Sequence, residues 1–362
     1  MIKKFMAGVL IGLFLSGCSL TEEAEVKAPD SDAIEKNQEQ AEVEQIDAVI
    51  QRILLRQDLF PVGSVPVPAD NPMTPEVIKL GQTLFFDPRL SGDNTVSCQT
   101  CHDPNKGYGD GLPTMKKLDG TDGSRNSPTI INAGYYSTYF WDGRASSLEE
   151  QALGPIQNPD EMNQTLPELI AELKSIEGYN ELFAAAFEDG ITEENLAKAL
   201  AAFQRLVVVK DTPYDQFLRG DRGALNDQEI RGLDLFVGKA FCVTCHNGPN
   251  LSDNKYYNIG LESGDEGRFA ITGDPGDLGR IRTPSLYGIT HTAPYLHDGS
   301  ASTLEEIVDY YNRGGDNHEN KSFFIKRFMN PLGLTDEEKV DLIAFLKALG
   351  GEPVIFTKPV LP

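Results

Sequence analysis

The pentapeptide Cys-x-x-Cys-His occurs twice in this chain of 362 residues, at 98–102 and at 242–246. In this pattern the two cysteine thiols add across the vinyl groups of a haem, and the adjacent histidine becomes a ligand of its iron. A zinc ribbon built from the two Cys-x-x-Cys pairs would leave both histidines without a role. The sequence therefore predicts two covalently attached c-type haems. The attachment residues are Cys98, Cys101 and His102 in the first motif and Cys242, Cys245 and His246 in the second.

The first 17 residues have the pattern of an export signal. Two lysines precede an apolar run that is too short to span a bilayer, and small residues lead to Cys18. This arrangement is typical of a lipoprotein signal peptide that is cleaved before the cysteine, and an ordinary secretory signal is the alternative. We expect a periplasmic protein that is held to a membrane only by lipid on Cys18.

The cysteine count and the charge restrict the function further. The chain has five cysteines, so lipid on Cys18 and two haems would leave none for a disulfide or a catalytic thiol. The formal net charge of -23 argues against nucleic-acid binding and against adhesion to anionic lipid. A basic electron-transfer protein would be attracted to such a surface, although acidity also keeps exported proteins soluble.

The chain contains an internal repeat. Residues 141–150 match residues 297–306 almost position for position. Helix-start signals precede both haem motifs: Thr74 is followed by a proline, and Asn226 is followed three residues later by a glutamate. Apolar residues recur at helical spacing, and alternating β-branched runs are nearly absent. We therefore predict a mostly α-helical fold of two tandem cytochrome c-type haem domains related by an internal repeat.

These features divide the chain into four parts. Residues 1–17 form the signal peptide, and residues 18–60 form a lipidated N-terminus with an acidic tether and a short helix. The tether, over 21–44, has almost no large apolar side chains and is predicted to be disordered. An N-terminal cytochrome c domain covers 61–215 and a C-terminal one covers 216–362, and each is long enough to bury a haem.

The repeat also shows which residues of the two halves match near the sixth coordination position of each haem iron. Pro155 stands fourteen residues after Trp141. Tyr311 stands fourteen residues after His297, which is the matching position. Proline offers no side-chain donor to a metal, whereas a phenol can bind ferric iron. We expect the first haem to be open to a small ligand and the second to be closed, unless Tyr311 is only a core tyrosine on a helix.

Gln151 and Glu161 follow closely on the repeat segment near the expected open haem. Cleavage of a peroxide requires a base that takes a proton from one oxygen and returns it to the departing one, and a carboxylate can do both. Chemistry alone does not distinguish such a group from a solvated surface glutamate. Both residues are therefore candidates for a role at a peroxide site, and the support for that role has to come from the surrounding motifs.

These motifs resemble the bacterial dihaem cytochrome c peroxidase superfamily, including its MauG-like branch, over about residues 74–349. The matching segments are the two haem motifs, residues 140–145, the Gln151 and Glu161 pair, residues 282–284 and residues 293–299. The resemblance implies that the haem held by His102 is the peroxide site. Glu161 would act there as acid and base, and Gln151 would orient the ligand.

The resemblance also implies a role for the second haem, a path for electrons between the two haems, and a bound metal ion. The haem held by His246 would be the electron-entry site, and Trp141 would conduct electrons between the two haems. A calcium ion is expected at the domain interface. Its protein ligands would be the Asn126 side chain and the backbone carbonyls of Thr292 and Pro294, which are the hard oxygen donors that calcium prefers.

Two positions depart from the typical peroxidases of this family. Members that must be reduced before they become active carry a histidine in the loop after the first motif, and the matching residue here is Leu118. The peroxide site should therefore be open in the oxidised enzyme. Tyr311 stands where typical members have a methionine. A tyrosine at this position is the pattern of the MauG-like branch. Met329 is the nearby thioether that could replace Tyr311 as the ligand.

The resemblance implies a dihaem peroxidase that reduces hydrogen peroxide to water. Its electrons would come from a small donor such as a monohaem cytochrome c or a copper protein, and a homodimer is compatible with the sequence. The alternative is a MauG-like enzyme that oxidises a protein or peptide partner through a high-valent haem state, which Tyr311 favours. A simple electron carrier would need protein ligands on both irons, and Pro155 argues against that.

Overall fold

The computed structural model describes residues 31–316, 319 and 321–362. The predicted signal peptide and Cys18 lie outside these residues. Residues 46–362 form one compact unit that contains both haem motifs, and the described residues before it belong to a separate unit. None of the helices within the described ranges is long and apolar enough to cross a membrane.

The described part of the chain is mostly helical, as predicted. The helices are α1 (Ser31–Leu54), α2 (Pro75–Phe85), α3 (Cys98–Cys101), α4 (Leu148–Gln157), α5 (Leu166–Ser175), α6 (Glu177–Ala186), α7 (Glu193–Gln204), α8 (Pro213–Leu218), α9 (Asp227–Val237), α10 (Phe269–Thr272), α11 (Leu304–Asn312), α12 (Ile325–Phe328) and α13 (Asp336–Ala348). Two short antiparallel strands, β1 (Tyr256–Tyr257) and β2 (Ile281–Arg282), form the sheet in these residues. Short 3-10 turns connect several of the helices.

The predicted helix starts before both haem motifs are confirmed. Thr74 caps α2 by accepting a hydrogen bond from the Val77 N–H, and a proline occupies the first turn. Asn226 caps α9 and forms a capping box with Glu229. Each cap satisfies N–H groups that a helix start leaves without an intrahelical partner.

The predicted disorder over 21–44 is wrong for residues 31–44, which belong to α1. The short helix that we expected to follow the tether is the last part of α1, which ends at Leu54. Glutamate, glutamine and alanine favour helix even when few apolar side chains are present. Gln40 also donates to Glu44 one turn later, at 3.3 Å. Low hydrophobicity therefore indicated an exposed segment and not an unfolded one.

Two helix pairs cross in the same way around a glycine. In the first half α2 packs on α7, and a Cβ atom on Gly81 would overlap the carbonyl oxygen of Ala199. In the second half α9 packs on α13, and a Cβ atom on Gly232 would overlap the carbonyl oxygen of Asp341. The absence of a side chain lets the two backbones touch at each crossing.

Aromatic rings fill the space beside these crossings. The Phe85 and Phe203 rings lie 4.9 Å apart between α2 and α7, and the Phe236 and Phe345 rings lie 5.1 Å apart between α9 and α13. All four side chains are almost completely buried. Such ring pairs add to the energy of burial when the rings meet at an angle.

The last ten residues, 353–362, return to the first half of the molecule, and we call them the C-terminal tail. The Tyr108 hydroxyl donates to the Val354 carbonyl at 2.6 Å, and the Phe356 N–H donates to the Tyr108 hydroxyl at 3.2 Å. The Phe356 ring packs against the Phe203 ring at 5.0 Å. The tail therefore ties the end of the chain to the region of the first haem motif.

The two glycine crossings generate a stability prediction. Gly81→Ala or Gly232→Ala should lower the free energy of unfolding by about 1–3 kcal/mol, because the added methyl group forces the two helices apart. The measurement is urea unfolding of the holoprotein. Gly63→Ala is the control, because no atom lies within 4 Å of the Cβ that it would add. Equal unfolding midpoints for all three variants would contradict the prediction.

Candidate functional site

Both motif histidines are fixed through Nδ1 by a backbone carbonyl. His102 Nδ1 lies 3.1 Å from the Tyr108 oxygen, and His246 Nδ1 lies 3.0 Å from the Leu251 oxygen. Because a carbonyl can only accept, Nδ1 carries the proton and Nε2 is left as an acceptor for a metal. Burial lowers the pKa of both histidines, which favours the neutral, metal-binding form.

The four motif cysteines are free, and none of these described cysteines forms a disulfide. Burial raises the pKa of Cys98, Cys242 and Cys245 to about 12 and that of Cys101 to about 11. All four groups are therefore protonated thiols at neutral pH. Each pair is available for thioether formation beside its histidine.

A cavity of about 930 Å³ lies beside the second haem motif. Cys242, Cys245 and His246 line it, and so do Tyr311 and Met329, the two candidates for the other axial ligand. Most of the remaining wall is apolar. The cavity thus combines the attachment groups of a c-type haem with the apolar surroundings that a porphyrin ring needs.

Arg282 provides an independent test of whether a haem fits this cavity. Its side chain lines the cavity and is only 5% exposed. The guanidinium stacks on the Tyr136 ring at 3.5 Å and contacts the carbonyls of Phe140 and Thr283 at 3.4 and 3.5 Å. No carboxylate pairs with it among the described residues. A buried cation requires a counter-charge, and the propionate groups of a haem would supply one.

Helices α4 and α11 place the two contrasting residues at equivalent positions. Ser147 and Thr303 cap these helices through hydrogen bonds of 3.0 and 3.2 Å to the N–H three residues later. Pro155 is the eighth residue of α4, and Tyr311 is the eighth residue of α11. Gln151 precedes Pro155 by one turn and lies on the same face of α4.

Tyr311 and Met329 both reach the second cavity. The Tyr311 ring packs edge-on against the Tyr310 ring at 5.5 Å, and its hydroxyl has no hydrogen-bond partner in the described part of the chain. Burial raises the pKa of Tyr311, which favours the neutral phenol in the absence of a metal. Met329 is buried beside Tyr310 and Ile325. The choice between the two as axial ligand stays a prediction.

Glu161 lies close to the first haem motif. It is half-buried, and Asn158 Nδ2 donates to its Oε1 at 2.6 Å. Burial raises the pKa of Glu161 above its usual value, although the Asn158 hydrogen bond and the Arg144 charge oppose the rise. Its charge contributes in turn to the raised pKa of the Cys98 and Cys101 thiols. Glu161 is therefore not a freely solvated surface glutamate, and its catalytic role stays a prediction.

The loop after the first haem motif packs against the segment that carries Glu161. The Leu118 N–H donates to the Asp160 carbonyl at 2.8 Å, and the Lys117 ammonium pairs with the Asp160 carboxylate at 3.1 Å. Leu118 is the position at which a blocking histidine would stand. The backbone of Leu118 is thus fixed beside the segment that carries Glu161, and its side chain offers no donor to a metal.

Trp141 lies where the two halves meet. Its indole N–H donates to the Asn126 carbonyl at 2.9 Å, and the Asn126 N–H donates to the His297 carbonyl at 2.7 Å. The Trp141 and His297 rings, which are equivalent in the repeat, lie 6.4 Å apart. Trp141, Asn126, Thr292 and Pro294 all line the second cavity, so the structure brings the expected conduit and the expected calcium ligands into one region.

An ion network around the buried Asp142, next to Trp141 in the chain, was not predicted. Arg125 pairs with Asp142 and with Asp265, each at 2.6 Å, and Arg144 also pairs with Asp142 at 2.9 Å. The two aspartates raise the pKa of Arg125 and outweigh the opposing effect of its burial. Asp265 lies outside the segments that the repeat matches, so no sequence signal connected it with Arg125.

Comparisons with known proteins give a consistent result. The family model described as di-haem cytochrome c peroxidase matches residues 75–223. The methylamine utilization protein MauG of Methylorubrum extorquens is 40% identical over 304 residues, which cover 83% of this chain and 85% of the relative. The cytochrome c551 peroxidase of Pseudomonas aeruginosa is 37% identical over 304 residues, which cover 80% of this chain and 83% of the relative.

A solved structure gives the same indication. A MauG-like protein associated with microbial copper homeostasis matches with a TM-score of 0.73 at 36% sequence identity. The match covers 81% of this chain and 95% of the other.

Proposed function

The chain belongs to the di-haem cytochrome c peroxidase family, and from this premise we propose that it reduces hydrogen peroxide to water with electrons from a small periplasmic donor. Each peroxide takes up two electrons and two protons and yields two water molecules. The observation that carries the proposal is the half-buried Glu161 carboxyl beside the first haem motif. It is accompanied by Pro155, which has no donor atom where the second half has Tyr311.

The haem-binding residues are those of the two motifs. Cys98, Cys101 and His102 would hold one haem, and Cys242, Cys245 and His246 would hold the other, with Tyr311 as the proposed second ligand of the latter. When bound, the haems supply iron for peroxide binding and for electron transfer. The proposed tandem haem domains over 61–215 and 216–362 would each contain one of them.

The proton steps would be carried by Glu161. Asn158 occupies its Oε1, so Oε2 is the oxygen that is free to act. Oε2 would take the proton from one peroxide oxygen and return it to the departing oxygen. The raised pKa of Glu161 makes the second step easier near neutral pH, because the protonated carboxyl persists at higher pH than in a solvated glutamate. Gln151, on the same face of α4 as Pro155, would orient the peroxide.

Electrons would enter at the second haem and reach the first through Trp141. The proposed entry surface is an aromatic patch at the second cavity, formed by Phe241, Phe323 and Phe328, which all line it. Phe323 is 93% exposed and Phe241 is 48% exposed, although both are large and apolar. Apolar side chains grouped in this way are typical of a surface that contacts another protein. A monohaem cytochrome c or a copper protein is the proposed donor.

The proposal includes a calcium ion held in part by the Asn126 side chain. Asn126 Nδ2 donates to the Leu112 carbonyl at 2.8 Å, which leaves the amide oxygen for an ion. Together with the carbonyls of Thr292 and Pro294, it would provide hard ligands for calcium.

The proposed location is the periplasm, where lipid on Cys18 would hold the enzyme to a membrane.

A second candidate function is supported by Tyr311. A phenol ligand favours ferric iron, whereas a thioether favours ferrous iron and a higher reduction potential. Tyr311 at the second site would therefore favour a MauG-like enzyme that oxidises a protein or peptide partner. Slow turnover with reduced cytochrome c, despite rapid reaction with peroxide, would favour this function.

Glu161→Gln tests the proposed chemistry. It should lower kcat/KM for peroxide about 100- to 10,000-fold, because the amide cannot carry the proton. Since the pKa of Glu161 is raised and the base must be ionised, wild-type kcat/KM should rise with pH through a value above 4.5. That rise should be absent in the variant. Glu181→Gln, at an exposed position, is the control. Wild-type turnover by Glu161→Gln, at equal haem content, would refute the proposal.

Tyr311→Phe and Met329→Leu identify the second axial ligand. If Tyr311 is the ligand, Tyr311→Phe should change the EPR and optical spectra of the oxidised second haem, because phenylalanine offers no donor. Met329→Leu should leave both spectra unchanged. The opposite pattern would assign the ligand to Met329 and remove the support for the MauG-like function.

Phe323→Ala tests the proposed entry surface. It should lower kcat/KM for a reduced monohaem cytochrome c about fivefold, because an exposed aromatic contact is lost. The rate with a small-molecule reductant serves as the reference. Leu55→Ala, at an apolar side chain that is 80% exposed and lies outside this patch, is the control. An equal loss with both reductants would show that the change affects the haem and not donor docking.

A further inference from the structure

We propose that Tyr108 is a positioning residue through which the C-terminal tail orients His102, and that this control acts on the first haem site alone. The assignment of that site to peroxide rests on the proposed function. The positioning itself rests only on the contacts of Tyr108, His102 and residues 353–362.

Tyr108 contacts both His102 and the C-terminal tail. Its carbonyl accepts from His102 Nδ1 at 3.1 Å, and its hydroxyl donates to the Val354 carbonyl at 2.6 Å. Its side chain is completely buried, and its backbone has φ +56, a conformation that non-glycine residues rarely adopt. Such a conformation persists only where the surroundings hold it in place. A shift of the tail would therefore reach the carbonyl that orients the imidazole.

The C-terminal tail is itself held by contacts of Val354, Phe356, Thr357 and Pro362. Besides the Phe356 contacts to Tyr108 and Phe203, the Gln82 side chain of α2 donates to the Thr357 carbonyl at 2.9 Å. Arg89 donates to the Pro362 carbonyl at 3.0 Å. These contacts all join the tail to the first half of the molecule. The tail is thus a firm support for the Tyr108 hydroxyl.

The second half provides an internal comparison. The Leu251 carbonyl accepts a hydrogen bond from His246 Nδ1 at 3.0 Å. Leu251 also has a completely buried side chain and a φ of +47. Leucine has no hydroxyl, so the imidazole can be held without any bond from the side chain of the carbonyl residue. The Tyr108 hydroxyl is therefore an added link, and it belongs to the first site only.

A consequence follows for the haem that His102 would hold. The hydrogen bond at Nδ1 sets the orientation of the imidazole and its strength as a donor to the metal. Loss of the tail contact should weaken or redirect that bond. The properties of the first haem should then change while those of the second stay constant.

The test uses the dihaem holoprotein and three altered forms. Tyr108→Phe removes only the hydroxyl, a chain that ends at Glu352 removes the tail, and the third form combines both changes. The control is Tyr135→Phe, which also removes a hydroxyl that donates to a backbone carbonyl, that of Gly63 at 2.7 Å. The measurements are the EPR spectrum, the iron–histidine vibration and the reduction potential of each haem.

We expect Tyr108→Phe and the shortened chain to shift the signals of the first haem in the same direction, and the combined form to shift them no further than the shortened chain does. Reaction of that haem with peroxide should slow about tenfold. Tyr135→Phe should change neither haem. Unchanged spectra in Tyr108→Phe, equal changes at both haems, or additive effects would each overturn the proposal.

The outcome also separates this inference from the proposed function. A wild-type protein that does not turn over peroxide would refute the peroxidase assignment. The selective spectral shift of the His102 haem would still establish the role of Tyr108. Conversely, active peroxide turnover with no selective shift would refute the positioning role alone.

Discussion

Each half of the molecule is organised around one hydrogen bond, from Nδ1 of a motif histidine to the carbonyl of a buried residue with left-handed backbone. Tyr108 provides this carbonyl in the first half, and Leu251 provides it in the second. The bond determines which imidazole nitrogen remains for a metal. A turn after each motif holds this carbonyl in place: the Tyr108 N–H donates to the Asp103 carbonyl at 2.9 Å, and the Leu251 N–H donates to the Gly248 carbonyl at 3.2 Å. Without it, the attached cysteines would bring a haem to the site with no fixed axial ligand.

The two halves share helix positions and glycine crossings but differ in the side chain that each offers near a haem iron. The capped helices α4 and α11 present Pro155 and Tyr311 at the same position, and the glycine crossings at Gly81 and Gly232 have the same geometry. Proline has no side-chain donor and tyrosine has one, so the side chain at this position would decide whether the iron beside it can take a protein ligand. The proposed difference in function between the two halves depends on this one position.

Local features were predictable from the sequence, whereas the long-range ion pair between Arg125 and Asp265 was not. The caps at Thr74 and Asn226 and the mostly helical fold depend on short patterns, and they were predicted correctly. Low hydrophobicity predicts disorder where α1 begins, but the residues there favour helix. The pairing of Arg125 with Asp265 joins segments 140 positions apart. No periodicity or motif connects such residues, so the network became visible only in three dimensions.

The return of the C-terminal tail has a consequence for the order of folding. Val354 follows Tyr108 by 246 positions, so the partner of the Tyr108 hydroxyl comes from a segment very distant in sequence. Contacts of such separation form late, because the entropy of closing the intervening loop opposes them. We therefore expect the surroundings of the first haem motif to be completed only after both halves have folded.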